Sequence, residues 1–168
     1  MNTFRRLLKH AFTGHYALRR VYPAAKLRAI EFAVRDCEKL HPGEIRFAVE
    51  ASLHLGAVLR GMTPRQRAIQ VFSDLRVWNT ENNDGVLIYV LLADRAVEIV
   101  ADRGVARGRV PQSEWDAVCR EMQRHFREGL YETASVAGVQ AVADVLARYP
   151  AGPADVGNEL PDAPAILS

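Results

Sequence analysis

Asn82, Asn83, Asp84 and Gly85 stand together in TENNDGVLIYV, the stretch from Thr80 to Val90. Their oxygen-bearing side chains are of the kind that hard cations choose. An EF-hand loop needs oxygen ligands at positions 1, 3 and 5, glycine at 6 and a bidentate glutamate at 12. With Gly85 at position 6, Thr80, Asn82 and Asp84 fill the first three, but position 12 falls on Leu91 inside an apolar run. The element that follows also reads as a strand, where an EF-hand needs a helix. A looser site remains. The run after Gly85 and the run Ala96 to Ala101 read as antiparallel neighbours, which sets Asn83 and Asp84 beside Asp102-Arg103-Gly104. Asn83, Asp84 and Asp102 are therefore the candidate ligands of a Ca²⁺ or Mg²⁺ ion. The same residue types also serve as plain turn formers.

Other chemistry has weaker support. There is no GxSxG elbow, P-loop, dinucleotide fingerprint or DxD phosphatase loop, and the five histidines are scattered. Cys37 and His41 have the i, i+4 spacing of a helical ligand pair, yet Cys37 lies on an apolar stripe and His41 sits at a helix stop. Glu50 and His54 close the first strand at the opposite pole, near Asp94 and Arg95. Ligands of α/β sheets favour that pole, although polar residues at a strand exit are ordinary. Phosphoryl chemistry without a protein nucleophile rests on metal-activated water, and so on Asp84 and Asp102.

The elements that hold these residues follow from periodicity. Leu27, Ile30, Val34 and Cys37 form one stripe of a helix from Pro23 to Leu40, stopped by His41-Pro42-Gly43. Ile45, Phe47 and Val49 alternate with Arg46, Ala48 and Glu50, which predicts a strand with one buried face. Thr63-Pro64-Arg65-Gln66 is a capping box opening a helix through Ala68, Ile69, Phe72 and Leu75. GVLIYVLL is apolar on both faces and reads as a central strand, and AVEIVA returns as its neighbour. Ser113 and Asp116 are expected to cap a helix with the stripe Trp115, Val118, Cys119, Met122 and Phe126, ended by Gly129. A well-buried helix from Thr133 to Ala147 follows, then an extended proline-rich tail laid on the surface by Leu160, Ile166 and Leu167. The pattern predicts a three-layer α/β/α sandwich with a small mixed sheet. It divides into a basic arm (1–22), an α/β domain (23–149) and a tail (150–168).

The chain of 168 residues has the hydrophobic content of a globular protein, and no apolar run is long enough to span a bilayer. The basic N-terminus lacks an apolar h-region and a small-residue cleavage site, so no signal peptide is expected. Cys37 and Cys119 read as reduced thiols of a cytoplasmic protein. The net charge of +2 conceals an asymmetry. Residues 1–30 hold seven of the 22 Lys/Arg and no Asp or Glu, whereas the other 138 residues carry 15 basic against 20 acidic. Such an arm either packs on its own acidic domain or meets an anionic membrane surface through Arg5, Arg6, Lys9, Arg19 and Arg20. A nucleic-acid partner is not expected, and any protein partner is unknown.

Glu44 to Val49 after an amphipathic helix, then Asn83-Asp84-Gly85 to Val90, then Arg95 to Ile99 with Asp102-Arg103-Gly104, resembles the TPM domain family. Met122-x3-Phe126-Arg127-x-Gly129-x-Tyr131 resembles that family's ending pattern, and Asn158-Glu159-Leu160-Pro161-Asp162 that of a short bacterial, non-secreted branch. The resemblance spans about residues 24–162. It implies an α/β/α sandwich. Some members bind divalent cations, plant chloroplast members are described as acid phosphatases that help maintain photosystem II, and many bacterial members have no assigned activity. Larger secreted members carry a signal peptide, a C-terminal membrane anchor and a glycine-rich turn after the third strand, where this chain has Asp102-Arg103-Gly104-Val105. The resemblance therefore implies the fold more directly than phosphatase chemistry. Three functions stay open: a module that weakly binds a divalent cation or a partner, a metal-dependent phosphatase acting on small phosphomonoesters, and a ligand-free interaction module.

Overall fold

The run VLIYVL has no charged residue to turn toward water, so it must be covered on both faces and paired at both edges. In the computed structural model, which describes residues 3–106, 108–152 and 157–167, that requirement is met. In chain order the elements are α1 (Thr3–Phe12), α2 (His15–Val21), α3 (Ala24–Glu38), β1 (Ile45–Glu50), α4 (Leu55–Leu59), α5 (Pro64–Asp74) and β2 (Val86–Leu91). They continue with β3 (Ala96–Ala101), α6 (Arg103–Ala106), α7 (Gln112–Arg127), α8 (Tyr131–Arg148) and β4 (Ala165–Leu167). The sheet order is β3-β2-β1-β4. β1 and β2 are parallel, with Ile45 opposite Val86, and β3 is antiparallel to β2, with Ala101 opposite Val86. One face carries Ile45, Phe47, Val49, Ile88 and Val90 against residues of α3, α7 and α8. The other carries Ala48, Leu87, Tyr89 and Leu91 against α4 and α5. This is the three-layer α/β/α sandwich that the pattern predicts.

Local signals are expressed as expected in several places. Thr63 and Gln66 form the reciprocal capping box with Pro64 at the first helical position. Gly129 ends α7 at φ +77°, a conformation that glycine reaches without strain. Other details differ. Ser113 does not cap α7, which starts at Gln112 with Pro111 before it and no side-chain cap. On α5, Val71 faces inward and Ile69 outward. α3 stops at Glu38, so Cys37 and His41 do not share a helical turn.

The largest correction concerns β1. All six of its residues are buried, including Arg46 and Glu50, which alternation assigns to solvent. Helices α4 and α5 cover that face, and the tail completes it. β4 adds to β1 in parallel, with Ala48 opposite Ala165. The Arg46 guanidinium donates to the carbonyls of Pro161 and Ala163, Glu44 accepts from the amides of Glu159 and Leu160, and Arg35 donates to Asp162. Leu160 is buried and Ile166 is not. The arm is likewise helical, with Leu18 and Tyr22 in the main core and His10 buried. Residues 1 and 2 of the arm and 153–156 and 168 of the tail lie outside the described residues.

Arg46 thus holds the tail to the sheet. Arg46→Met keeps the bulk but removes both hydrogen bonds to the tail carbonyls of Pro161 and Ala163. Amide exchange over residues 160–167 should speed up at least tenfold while that of β2 changes little, as read by hydrogen exchange. Equal acceleration in both strands would mean that the whole domain is destabilised instead.

Candidate functional site

The candidate ligands meet where β1 and β2 begin and β3 ends. The connection from α5 coils through Arg76 and Asn83, both at φ +53°, and Asn is among the residues that tolerate this region. Thr80 accepts twice, through its carbonyl from the Asn83 amide and through Oγ1 from the Asp84 amide. Across the sheet, the Asp102 amide donates to the Gly85 carbonyl at 2.9 Å and the Gly104 amide to the Asn83 carbonyl at 2.8 Å. A Cβ at Gly104 would stand 2.4 Å from both the Asn82 and Asn83 carbonyl oxygens, so only glycine admits this approach. The antiparallel pairing predicted from sequence therefore brings Asn83, Asp84 and Asp102 to one end of the sheet.

Their side chains are not equivalent. The Asn83 amide oxygen already accepts from Arg103 Nε at 2.8 Å. Asp102 uses Oδ1 to accept from the Arg103 amide at 2.7 Å, while its Oδ2 is buried without a hydrogen-bond partner. Asp84 is 1% exposed, and neither carboxylate oxygen makes a well-formed hydrogen bond. Burial pushes its carboxyl up from the ordinary range. Thr80 and Asn82 draw it partly back, and the negative charge of Glu159 pushes it further up. Glu44 is also raised, first by burial and then by Glu159 and Asp84, against the two tail amides it accepts from. Sequence reasoning missed both glutamates: Glu159 arrives with the tail, whereas Glu44 stands beside Gly85 because β1 begins level with β2. Among the described residues, no three His, Cys, Asp or Glu side chains are grouped so as to hold a metal ion by themselves. A cation here would have to draw on amide and carbonyl oxygens as well as carboxylates. Beside the site, a polar cleft of about 420 Å³ is lined by Trp78, Thr80, Glu81, Asn83, Arg103 and Glu159.

At the opposite pole, Glu50 and His54 do line one cleft of about 400 Å³, together with Arg67. The Glu50 carboxylate is already engaged by three donors, Arg67 Nε and Nη2 and the Tyr89 hydroxyl at 2.5 Å. That network fixes structure and leaves little acceptor capacity for a substrate. Neither cysteine is a ready nucleophile, since burial raises both thiols, Cys119 up to about 12.

A family profile described as the TPM domain matches residues 16–145. The chain is also similar to the NMR structure of BA42 protein from the psychrophilic bacterium Bizionia argentinensis, at 32% identity and a TM-score of 0.73, covering 86% of this chain and 94% of that one. A second similar structure is the N-terminal domain of a protein from P. gingivalis, at 22% identity and a TM-score of 0.58, covering 75% of this chain and 76% of that one. This second likeness shows the fold alone. No curated protein matches the chain. A mixed four-stranded sheet between two helical layers, with these matches, defines the class: the chain belongs to the TPM domain family.

Glu38 adds a pH dependence to the acidic end. One oxygen accepts from the Ile45 amide at 2.9 Å and the other is buried without a partner. Burial, then the charges of Glu44 and Asp162, push it up to about 8, against the Ile45 hydrogen bond. A carboxyl raised in the folded state costs stability only when ionised, so the cost grows as pH rises from the ordinary 4.5 through about 8. Glu38→Gln should match the wild-type melting temperature near the lower value and exceed it above the upper one. Parallel curves would show that Glu38 does not titrate with folding.

Proposed function

We propose that this TPM domain binds a divalent cation weakly at the end of the sheet where Asp84, Asp102 and Asn83 meet. The observation that supports this reading most is the buried carboxylate of Asp84, which lacks a well-formed hydrogen bond. A buried anion left unmatched is costly, and a cation would repay that cost. The donor set is all oxygen, which suits Ca²⁺ or Mg²⁺ over softer ions. Asp84 and Asp102 would supply the carboxylates and Asn83 its amide oxygen in exchange for Arg103. Bound there, the ion would bring positive charge to an end of the molecule dominated by Glu44, Asp84 and Glu159. Binding is expected to be weak, because part of the donor set is already engaged.

The test uses metal-stripped protein titrated with Ca²⁺ and Mg²⁺, followed by thermal shift and by amide NMR. Wild type should rise in melting temperature at millimolar ion, with shifts centred on residues 83, 84 and 102. Asp84→Asn should do two opposite things. Without metal it should melt a few degrees higher at neutral pH, because the buried charge is gone, and it should lose the response to metal. A variant that melts lower and still responds would remove Asp84 from the site. A phosphatase would depend on the same carboxylates, so hydrolysis of p-nitrophenyl phosphate that survives in Asp84→Asn and Asp102→Asn would place any turnover elsewhere.

A further inference from the structure

The helix α1 is rotated the wrong way for a helix on the surface of a globular protein. Its inward side carries Arg6, Leu7 and His10. Arg6 forks onto Asp94 in the β2–β3 turn, with Nη2 to Oδ2 at 2.7 Å and Nε at 3.1 Å from each oxygen. His10 is 3% exposed; its Nδ1 accepts from the Leu53 amide at 2.9 Å and its Nε2 lies 3.1 Å from Asp94 Oδ1. Burial alone would raise the Asp94 carboxyl, but hydrogen bonds from Arg6 and His10 outweigh it and hold the group below its usual range. Polar groups thus fix the rotation of the helix. The outer side then shows Phe4, Leu8 and Phe12, spaced i, i+4, i+8 and exposed by 65%, 43% and 83%. Tyr16, at the start of α2, is 81% exposed, and α4, packed against α1, exposes Leu55 and Leu59. Three large apolar side chains aligned on one exposed helix face mark a surface built to be covered.

Going beyond the cation-binding reading, we propose that this face seats on an anionic lipid surface, with Phe4, Leu8 and Phe12 entering the headgroup layer and Arg5, Lys9, Arg19 and Arg20 meeting lipid phosphates. The four cations are exposed on α1 and α2, and residues 1–30 contain no Asp or Glu. A second copy of the chain would set this basic patch against its own charge. A nucleic acid would use the cations and leave three apolar side chains in water. A negatively charged bilayer surface satisfies both halves of the pattern. No described helix is long and apolar enough to cross a membrane, so the contact is interfacial.

The test is co-sedimentation of the full chain with vesicles of phosphatidylcholine alone or mixed with phosphatidylglycerol, at low salt and at about 0.5 M salt. Binding should require phosphatidylglycerol and fall with salt. Arg5→Glu with Lys9→Glu should weaken it by more than the roughly fivefold expected for each cation lost. Phe4→Ser with Leu8→Ser and Phe12→Ser should abolish it. All five positions are exposed, and circular dichroism with a thermal melt checks that each variant is folded; should the triple serine variant unfold, the charge-reversal variant decides alone. Absence of binding at millimolar phosphatidylglycerol, or binding that neither variant changes, overturns the proposal. So does self-association in sedimentation velocity that the serine variant removes, which would make the occupant a second copy.

Discussion

The demand of β2 for complete cover organises the fold. Each of its six residues is buried, and both its edges are hydrogen-bonded. A strand apolar on both faces leaves no solvent side, so helices must be supplied twice over. The chain meets this by sending α4 and α5 to one face and α3, α7 and α8 to the other. The parallel partner β1 then inherits the same burial. It is not apolar throughout, however, and Arg46 and Glu50 must find partners inside.

Those partners come from distant parts of the chain, and they explain several otherwise unrelated features. Glu50 is met by Arg67 from α5 and by Tyr89 from β2. Arg46 is met by backbone carbonyls of the tail, and Glu44 by amides of the same segment. The tail is therefore a structural part of the sheet, matched in charge as well as in shape. Asp84 differs in having neither carboxylate oxygen in a well-formed hydrogen bond and in being drawn on only by its neighbours Thr80 and Asn82, which is why it stands out as a candidate for function.

What could be read from sequence follows the range of the interaction. The capping box at Thr63 and Gln66 spans four residues, and the stripe on α7 repeats within one helix, so both are legible locally. The β2–β3 pairing is legible because a short turn enforces it, and with it came the meeting of Asn83 and Asp84 with the Asp102 turn. Burial of Arg46 was not, since alternation assigns a charged residue to water and its acceptors lie 115 and 117 residues away. Glu159 was missed for the same reason, since it reaches the site only through the tail. A rotated α1 also escapes pattern reading. Periodicity places Phe4, Leu8 and Phe12 on one face but cannot say that Asp94, in a distant turn, pulls the opposite face inward.

The two proposed surfaces lie at opposite ends of the same strands. Asp84 precedes β2 and Asp94 follows it, so the six-residue strand separates them by about 20 Å, at roughly 3.3 Å per residue. That is about two and a half times the screening length at physiological salt, near 8 Å. The carboxylates of Glu44, Asp84 and Glu159 therefore exert little repulsion on an anionic surface held at the α1 end. A cation at the far pole would in turn compete little with that surface. Had the acidic cluster lain beside Arg5 and Lys9, its charge would have cancelled theirs. The strand between them lets one small domain carry a basic, apolar end and an acidic end that act independently.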